Sequence, residues 1–259
     1  ALAAAARLSL KNLPGKEVDQ AIATQLESAP AEEQALLLQL LSDRMSPETL
    51  RVATARLSSE ADAVKVAALD ALAQQGTAAE APAVVAALKE ADSTGVRQAA
   101  ARALGSIAAH HGKEALPAML TGMEGAEPEA KLAIVRTLDR VGSTEALNAT
   151  LGLLKDSDQR ISSEAARVLS NWPSQEAAPH LLTLAQGESS ALKDAGLRGY
   201  VRLARDEQDL GKRVEMLNSA MAQAGTPQEK FIVLAAWGTV PIWMRHIASS
   251  TPASARRST

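Results

Sequence analysis

The chain of 259 residues contains no cysteine, which excludes disulfides, thiolate nucleophiles and zinc-thiolate clusters. That absence fits the cytosol and leaves a periplasmic location open. Aromatic residues make up only 2% of the chain, one Tyr, one Phe and three Trp, although hydrophobic residues reach 46%. An interior made mainly of Ala, Leu and Val lets helices approach closely, and Ala is the best helix former. Positive charge is not in excess: 27 Lys and Arg stand against 30 Asp and Glu, for a net charge of -3. The broad basic field that accompanies sequence-independent nucleic-acid binding is therefore missing. Long apolar runs are missing too. Phe231 to Met244 spans about 14 residues and is broken by Gly238 and Pro241, whereas a membrane-spanning helix needs roughly 20. No membrane partner is expected.

What the chain does have is a recurring phrase. Val64-Lys-Val-Ala-Ala-Leu-Asp-Ala-Leu72 is followed by Val96-Arg-Gln-Ala-Ala-Ala-Arg-Ala-Leu104, Ala130-Lys-Leu-Ala-Ile-Val-Arg-Thr-Leu138, Ile161-Ser-Ser-Glu-Ala-Ala-Arg-Val-Leu169 and Leu192-Lys-Asp-Ala-Gly-Leu-Arg-Gly-Tyr200. The starts at 64, 96, 130, 161 and 192 give steps of 32, 34, 31 and 31. Weaker copies cover Glu32 to Leu41 and Glu229 to Trp237. A fixed period in this range marks a solenoid, in which each unit buries its apolar face against its neighbours.

Between the phrases lie first helices with apolar residues at i, i+4 and i+7, such as Leu147, Leu151 and Leu154. Helix starts are clearly punctuated. Gly76-Thr77-Ala-Ala-Glu80 and Gly225-Thr226-Pro-Gln-Glu229 both read as a turn followed by a Thr-x-x-Glu capping box, and Pro227 sits where its missing N–H costs nothing. Ser46-Pro47 and Gly142-Ser143 read as similar starts. About seven helical pairs are predicted over residues 1–240. The opening stretch Ala1 to Leu10 reads as the second helix of a pair whose first helix is missing, so a piece of a longer protein is expected. Beyond Pro241 the period stops. Ile242, Trp243 and Ile247 are expected to fold over the last unit as a cap remnant, with a disordered tail completing 241–259.

Asp92 followed by Val96-Arg97-Gln98-Ala99-Ala100, and Asp62 followed by Val64-Lys65-Val66-Ala67-Ala68, resemble the bacterial HEAT-like repeat, also known from phycobilisome lyases. The resemblance covers roughly residues 1–240 and implies an all-α, right-handed α-α superhelix, a HEAT-like solenoid. It also implies a non-catalytic interaction or scaffolding role, in which a partner binds the concave face lined by second helices. Two other activities occur in HEAT-like proteins. A bilin lyase would need a ligand-sized pocket among those helices, and a DNA glycosylase would need a basic face with aromatic residues around an acid.

The strongest candidates for function form a row. The seventh residue of four successive phrases is Arg102, Arg136, Arg167 and Arg198. Positions one, four, five, eight and nine face the core at 100° per residue, so position seven lies near the opposite, exposed side. Each guanidinium can pair with a carboxylate in a neighbouring helix, for example Glu164 or Asp194, for about 0 to 1 kcal/mol. The bidentate fork can equally recognise an acidic or phosphorylated protein partner, and both uses remain open. A second basic row at position two, Lys65, Arg97, Lys131, Lys193 and Lys230, is expected to reach the preceding turn, where Asp62 and Asp92 can pair with it.

Trp172, at a Trp-Pro turn, is expected to be partly exposed and able to anchor a partner. Tyr200 and Trp237 read as core. His110-His111 reads as a helix end, because adjacent helical residues diverge by about 100° and make a poor metal pair. No metal, cofactor or catalytic grouping is predicted, and the array is expected to be a monomer.

Overall fold

The computed structural model describes residues 9–187 and 189–240. Among these residues there are helices and connections and no strand. The fold is all-α, as the composition and period require. Fourteen α-helices follow the described start of the chain: α1 Lys16–Ser28, α2 Ala31–Asp43, α3 Thr49–Arg56, α4 Asp62–Gln75, α5 Ala81–Lys89, α6 Thr94–Met123, α7 Pro128–Val135, α8 Leu138–Val141, α9 Thr144–Leu153, α10 Gln159–Ser170, α11 Ala178–Ala185, α12 Ser190–Asp206, α13 Leu210–Gln223 and α14 Pro227–Trp237. Short 3-10 turns, Ala78–Glu80 and Gln175–Ala177, lead into α5 and α11.

The chain divides into two compact units, Ala1–Ala149 and Thr150–Thr259. In the first, the phrase helices pack side by side, α2 on α4 and α4 on α6, and each also packs on its own first helix. In the second, α12 packs on α10, α11, α13 and α14. This is the neighbour-to-neighbour sharing of apolar faces that a repeat demands. The phrase positions behave as their period requires. Val96, Ala99, Ala100, Ala103 and Leu104 are all buried, as are Ala130, Ala133, Ile134, Thr137 and Leu138. Position six is buried as well in Leu69, Val135, Ala166 and Leu197. The stripe is thus wider than a single helix-on-helix contact needs, because each second helix is covered from more than one side. Leu234, which holds position six in α14, is 57% exposed, and its neighbour Phe231 is 71% exposed.

The helix starts form as the sequence requires. Thr77 and Glu80 make a reciprocal capping box, with Thr77 N donating to Glu80 Oε2 at 2.8 Å. At Thr226 the same device opens α14: Glu229 N donates to Thr226 Oγ1 at 3.2 Å and Glu229 Oε2 accepts from Thr226 N at 2.9 Å. Ser143 accepts from Ala146 N after Gly142, whose φ of 62° is the left-handed turn glycine permits. In α12, glycines stand where other phrases carry Ala. A Cβ on Gly199 would lie 2.7 Å from Ser170 Cα, so the glycine lets α12 approach the end of α10.

Two places differ from the expected pattern. The His110-His111 turn is reduced to a kink: α6 runs through both helices, and only His111 (φ -134°, ψ 30°) leaves helical geometry. Gly112 allows this compression, since a Cβ there would lie 2.8 Å from Val141 Cα. The phrase beginning at Ala130 is broken after Val135. Thr137 turns its hydroxyl back to donate to Ile134 O at 2.7 Å, and the chain re-enters a helix only at Leu138. The expected cap from Ile242, Trp243 and Ile247, the tail 248–259 and residues 1–8 of the opening half-unit lie outside the described residues.

Candidate functional site

The second helices present their position-seven arginines outward, as the period predicts. In the first unit Arg102, 55% exposed, donates from Nη2 to Asp70 Oδ1 at 2.7 Å and so joins α6 to α4. In the second, Arg167 grips Glu164 Oε1 with Nε at 2.9 Å and Nη2 at 2.6 Å, and Arg198 Nε reaches Asp194 Oδ1 at 2.9 Å. Glu164 and Asp194 are therefore partners within the same helix, where spacings of three and four residues place them, and not in a neighbouring one. Arg136 is exposed but closes α7 as its C-cap, because the helix breaks at Thr137.

The position-two row is only partly as expected. Arg97 does turn to the preceding loop, but its Nη2 donates to the Ala91 carbonyl at 2.7 Å, where a pair with Asp92 was predicted. Lys193 approaches Glu229 of α14, 4.0 Å away. Neutral carbonyls at a helix end are stationary acceptors, and they hold the fork without the entropy cost of fixing a second side chain.

Trp172 corrects the sequence reading outright, because its side chain is fully buried and cannot serve as an exposed anchor. The reason lies about 30 residues further along. Arg202 of α12 reaches back over the turn, donating from Nε to Ser170 O at 3.1 Å and from Nη2 to Trp172 O at 2.5 Å. Gln175, just after the turn, donates to Leu203 O at 2.9 Å. The Trp-Pro turn is thus sewn beneath the next repeat. Tyr200 is buried as predicted, and that burial raises the pKa of its phenol despite a hydrogen bond with Ser219. Trp237 is half-buried, and Trp243 lies outside the described residues.

Sequence reasoning missed these seam arginines. Arg44 is the most engaged of them, pairing with Asp19 at 2.5 Å while donating to the carbonyls of Leu10 and Leu13. The missed signal was available two residues past the phrase. Arg140 and Arg202 both stand at position eleven, ten residues after Ala130 and Leu192.

Arg140 helps line a groove of about 490 Å³ between α6 and the broken helix α7–α8. Arg102, Gly105 and His110 supply one wall and Arg136 and Arg140 the other, over a floor of small residues, and no carboxylate lines it among the described residues. A Cβ on Gly105 would stand 2.4 Å from Arg140 Nη1, so the missing side chain makes room for the guanidinium. His110 donates from Nδ1 to Ser106 O at 2.9 Å, and its ring lies 6.5 Å from that of His111. A second groove of about 700 Å³, between α2 and α4, is mostly apolar, with Leu36 and Val66 beside Glu32 and Asp70. Among the described residues no group of three potential ligands could hold a metal ion, and no helix is long and apolar enough to cross a membrane.

Residues 116–198 match the protein-family model of HEAT repeats. No curated protein matches it. Among solved structures, the complex of CpcE and CpcF of phycocyanin lyase from Nostoc sp. PCC7120 is 18% identical, covering 89% of this chain and 97% of that one at a TM-score of 0.44. Two engineered proteins are 21% and 18% identical. The first covers 84% of this chain and 97% of its own at a TM-score of 0.45, and the second 94% and 76% at 0.48. All three scores lie below 0.5, so the fold rests on the helix pairing and the family match.

Proposed function

We propose that the chain is a non-catalytic, monomeric protein-interaction module that binds an acidic protein or peptide partner on the surface of its second helices. The observation that carries this reading is that Arg102, Arg167 and Arg198 are all more than half exposed on second helices, each beside a carboxylate of the chain itself. Exposed pairs of this kind contribute about 0 to 1 kcal/mol, so a partner's carboxylates can exchange with them at little expense. Many such contacts spread over several repeats would add up to a specific interface.

An affinity capture with the chain as bait tests this, comparing it with a variant carrying Arg102→Glu, Arg136→Glu, Arg167→Glu and Arg198→Glu. A partner bound by the former and lost by the latter, with helicity preserved, supports the reading. Equal capture by both overturns it.

Bilin attachment is the second reading. The α2–α4 groove, about 700 Å³, is in the size range of small-molecule sites and is lined mostly by apolar atoms. Mixing the protein with a bilin and following absorbance tests it, and an unchanged spectrum removes it. Base recognition by a glycosylase-like site is not favoured, because Trp172 and Tyr200 are buried in the core and offer no stacking surface.

A further inference from the structure

Position eleven places the same residue in the same register in both units, with different results. Arg202 lies over Ser170, the last residue of α10, and finds the carbonyls of Ser170 and Trp172. Arg140 lies over Gly105, which occupies the corresponding position ten of its preceding phrase. There the receiving helix does not end. α6 continues helical to His110, so the Gly105 carbonyl sits in mid-helix, where the backbone ladder uses it. The last-turn carbonyls that satisfy Arg202 have no counterpart beneath Arg140, and among the described residues the Arg140 side chain has no hydrogen bond or ion pair.

Other outward-facing arginines of the second helices hold a carboxylate from the chain itself: Asp70 for Arg102, Glu164 for Arg167 and Asp194 for Arg198. In the α6–α8 groove Arg140 stands beside Arg102, Arg136 and His110 with no carboxylate in the lining. Building on the reading of the second-helix surface as the partner face, we infer that this groove seats the carboxylates of an acidic peptide segment, with Arg140 as the cation left for the partner to satisfy. A peptide fits better than a nucleic acid. The groove spans one repeat step, whereas a phosphate backbone is held by an extended basic track, and the net charge of -3 provides no surrounding positive field.

The test uses a fluorescein-labelled poly-glutamate peptide, followed by anisotropy at low salt, with the whole chain and two single variants. Arg140→Glu reverses the charge. Gly105→Ala keeps every charge but intrudes where the Arg140 guanidinium lies. The expected results are a loss of affinity of about tenfold or more for the first, the scale of a charge-assisted hydrogen bond, and a smaller loss for the second. Binding to the unaltered chain should also weaken steeply with salt. Absent peptide binding, binding unchanged in Arg140→Glu with helicity intact, or tighter binding of a single-stranded oligonucleotide of equal charge would each overturn the proposal. Arg140 is not among the four residues altered in the capture experiment. A partner lost in that fourfold variant while Arg140→Glu leaves the peptide bound would discard the groove and retain the wider reading. The reverse pattern would retain the groove alone.

Discussion

Arg202 and Arg140 are one residue type at one register; Arg202 also pairs with Asp206 in its own helix, but the larger difference in their surroundings is whether the helix beneath them stops. α10 ends at Ser170 and leaves carbonyls that the Arg202 fork captures, sealing the turn that buries Trp172. α6 runs on past Gly105, and Arg140 is left in an open groove. A repeat template therefore sets where a side chain stands, while the local helix boundary decides whether it serves the fold or remains available to a partner. The same division separates Arg44, bound among carbonyls and 6% exposed, from Arg102, paired once and 55% exposed.

The sharpest way to break the comparison is at the sealed seam. Trp172→Ala should cost about 3–5 kcal/mol, because a fully buried aromatic is removed from beneath a turn that cannot readily collapse. The loss should appear as early unfolding in urea and as faster hydrogen exchange in α10 and α12. An effect within the range of a surface substitution would mean that the ring is not enclosed. Arg202→Met comes next, at about 2 kcal/mol. It keeps most of the aliphatic stem and leaves the carbonyls of Ser170 and Trp172 without their charged donor. If Arg202→Met and Arg140→Met proved equally mild, the distinction between the two registers would be lost.

Helix starts offer a third test, since there the free groups are amides and the satisfying side chain is a carboxylate. Thr226→Ala should cost about 1 kcal/mol by removing the cap of α14. The backbone N–H of Thr226, then that of Gly225, and nearby Lys193 hold the Glu229 carboxyl below its ordinary pKa. A depressed carboxylate stabilises the fold above its unfolded pKa, near 4.3, and that contribution is lost as pH falls through the lower folded value. Glu229→Gln should therefore flatten the acid limb of the stability profile below about pH 4.3. An acid limb identical to that of the unaltered chain would show that the capping box adds no pH dependence.

Much of this architecture was legible in the residues themselves. The phrase period located the second helices, and Thr-x-x-Glu located two starts, because both signals are local and set by backbone geometry. The fate of Trp172 was not local. A Trp-Pro dipeptide specifies a turn, but which side of that turn meets water was decided by Arg202 and by the Gln175–Leu203 bond, each joining residues 28 to 32 apart. The break at Thr137 was hidden because a threonine hydroxyl can bond outward or back to its own helix, and only packing selects between the two. Arg140 was overlooked for a related reason. The phrase was read only to its ninth residue, and the meaning of position eleven depends on where the preceding helix ends.

The smallest expected effect is the most discriminating. Arg140→Ala should change stability by no more than about 0.5 kcal/mol, since the side chain is exposed and, among the described residues, satisfies nothing. Arg102→Ala belongs in the same range, as it breaks one solvated pair with Asp70. If these positions serve partners, their removal should be nearly silent in urea denaturation yet visible in binding to the acidic peptide. Loss of stability comparable to Arg202→Met would show that Arg140 has a structural acceptor after all, and the two registers would then do the same work. Exposed residues that stability measurements barely register, at a position whose equivalent in the other unit is firmly engaged, are where a scaffold can vary its surface without endangering its fold.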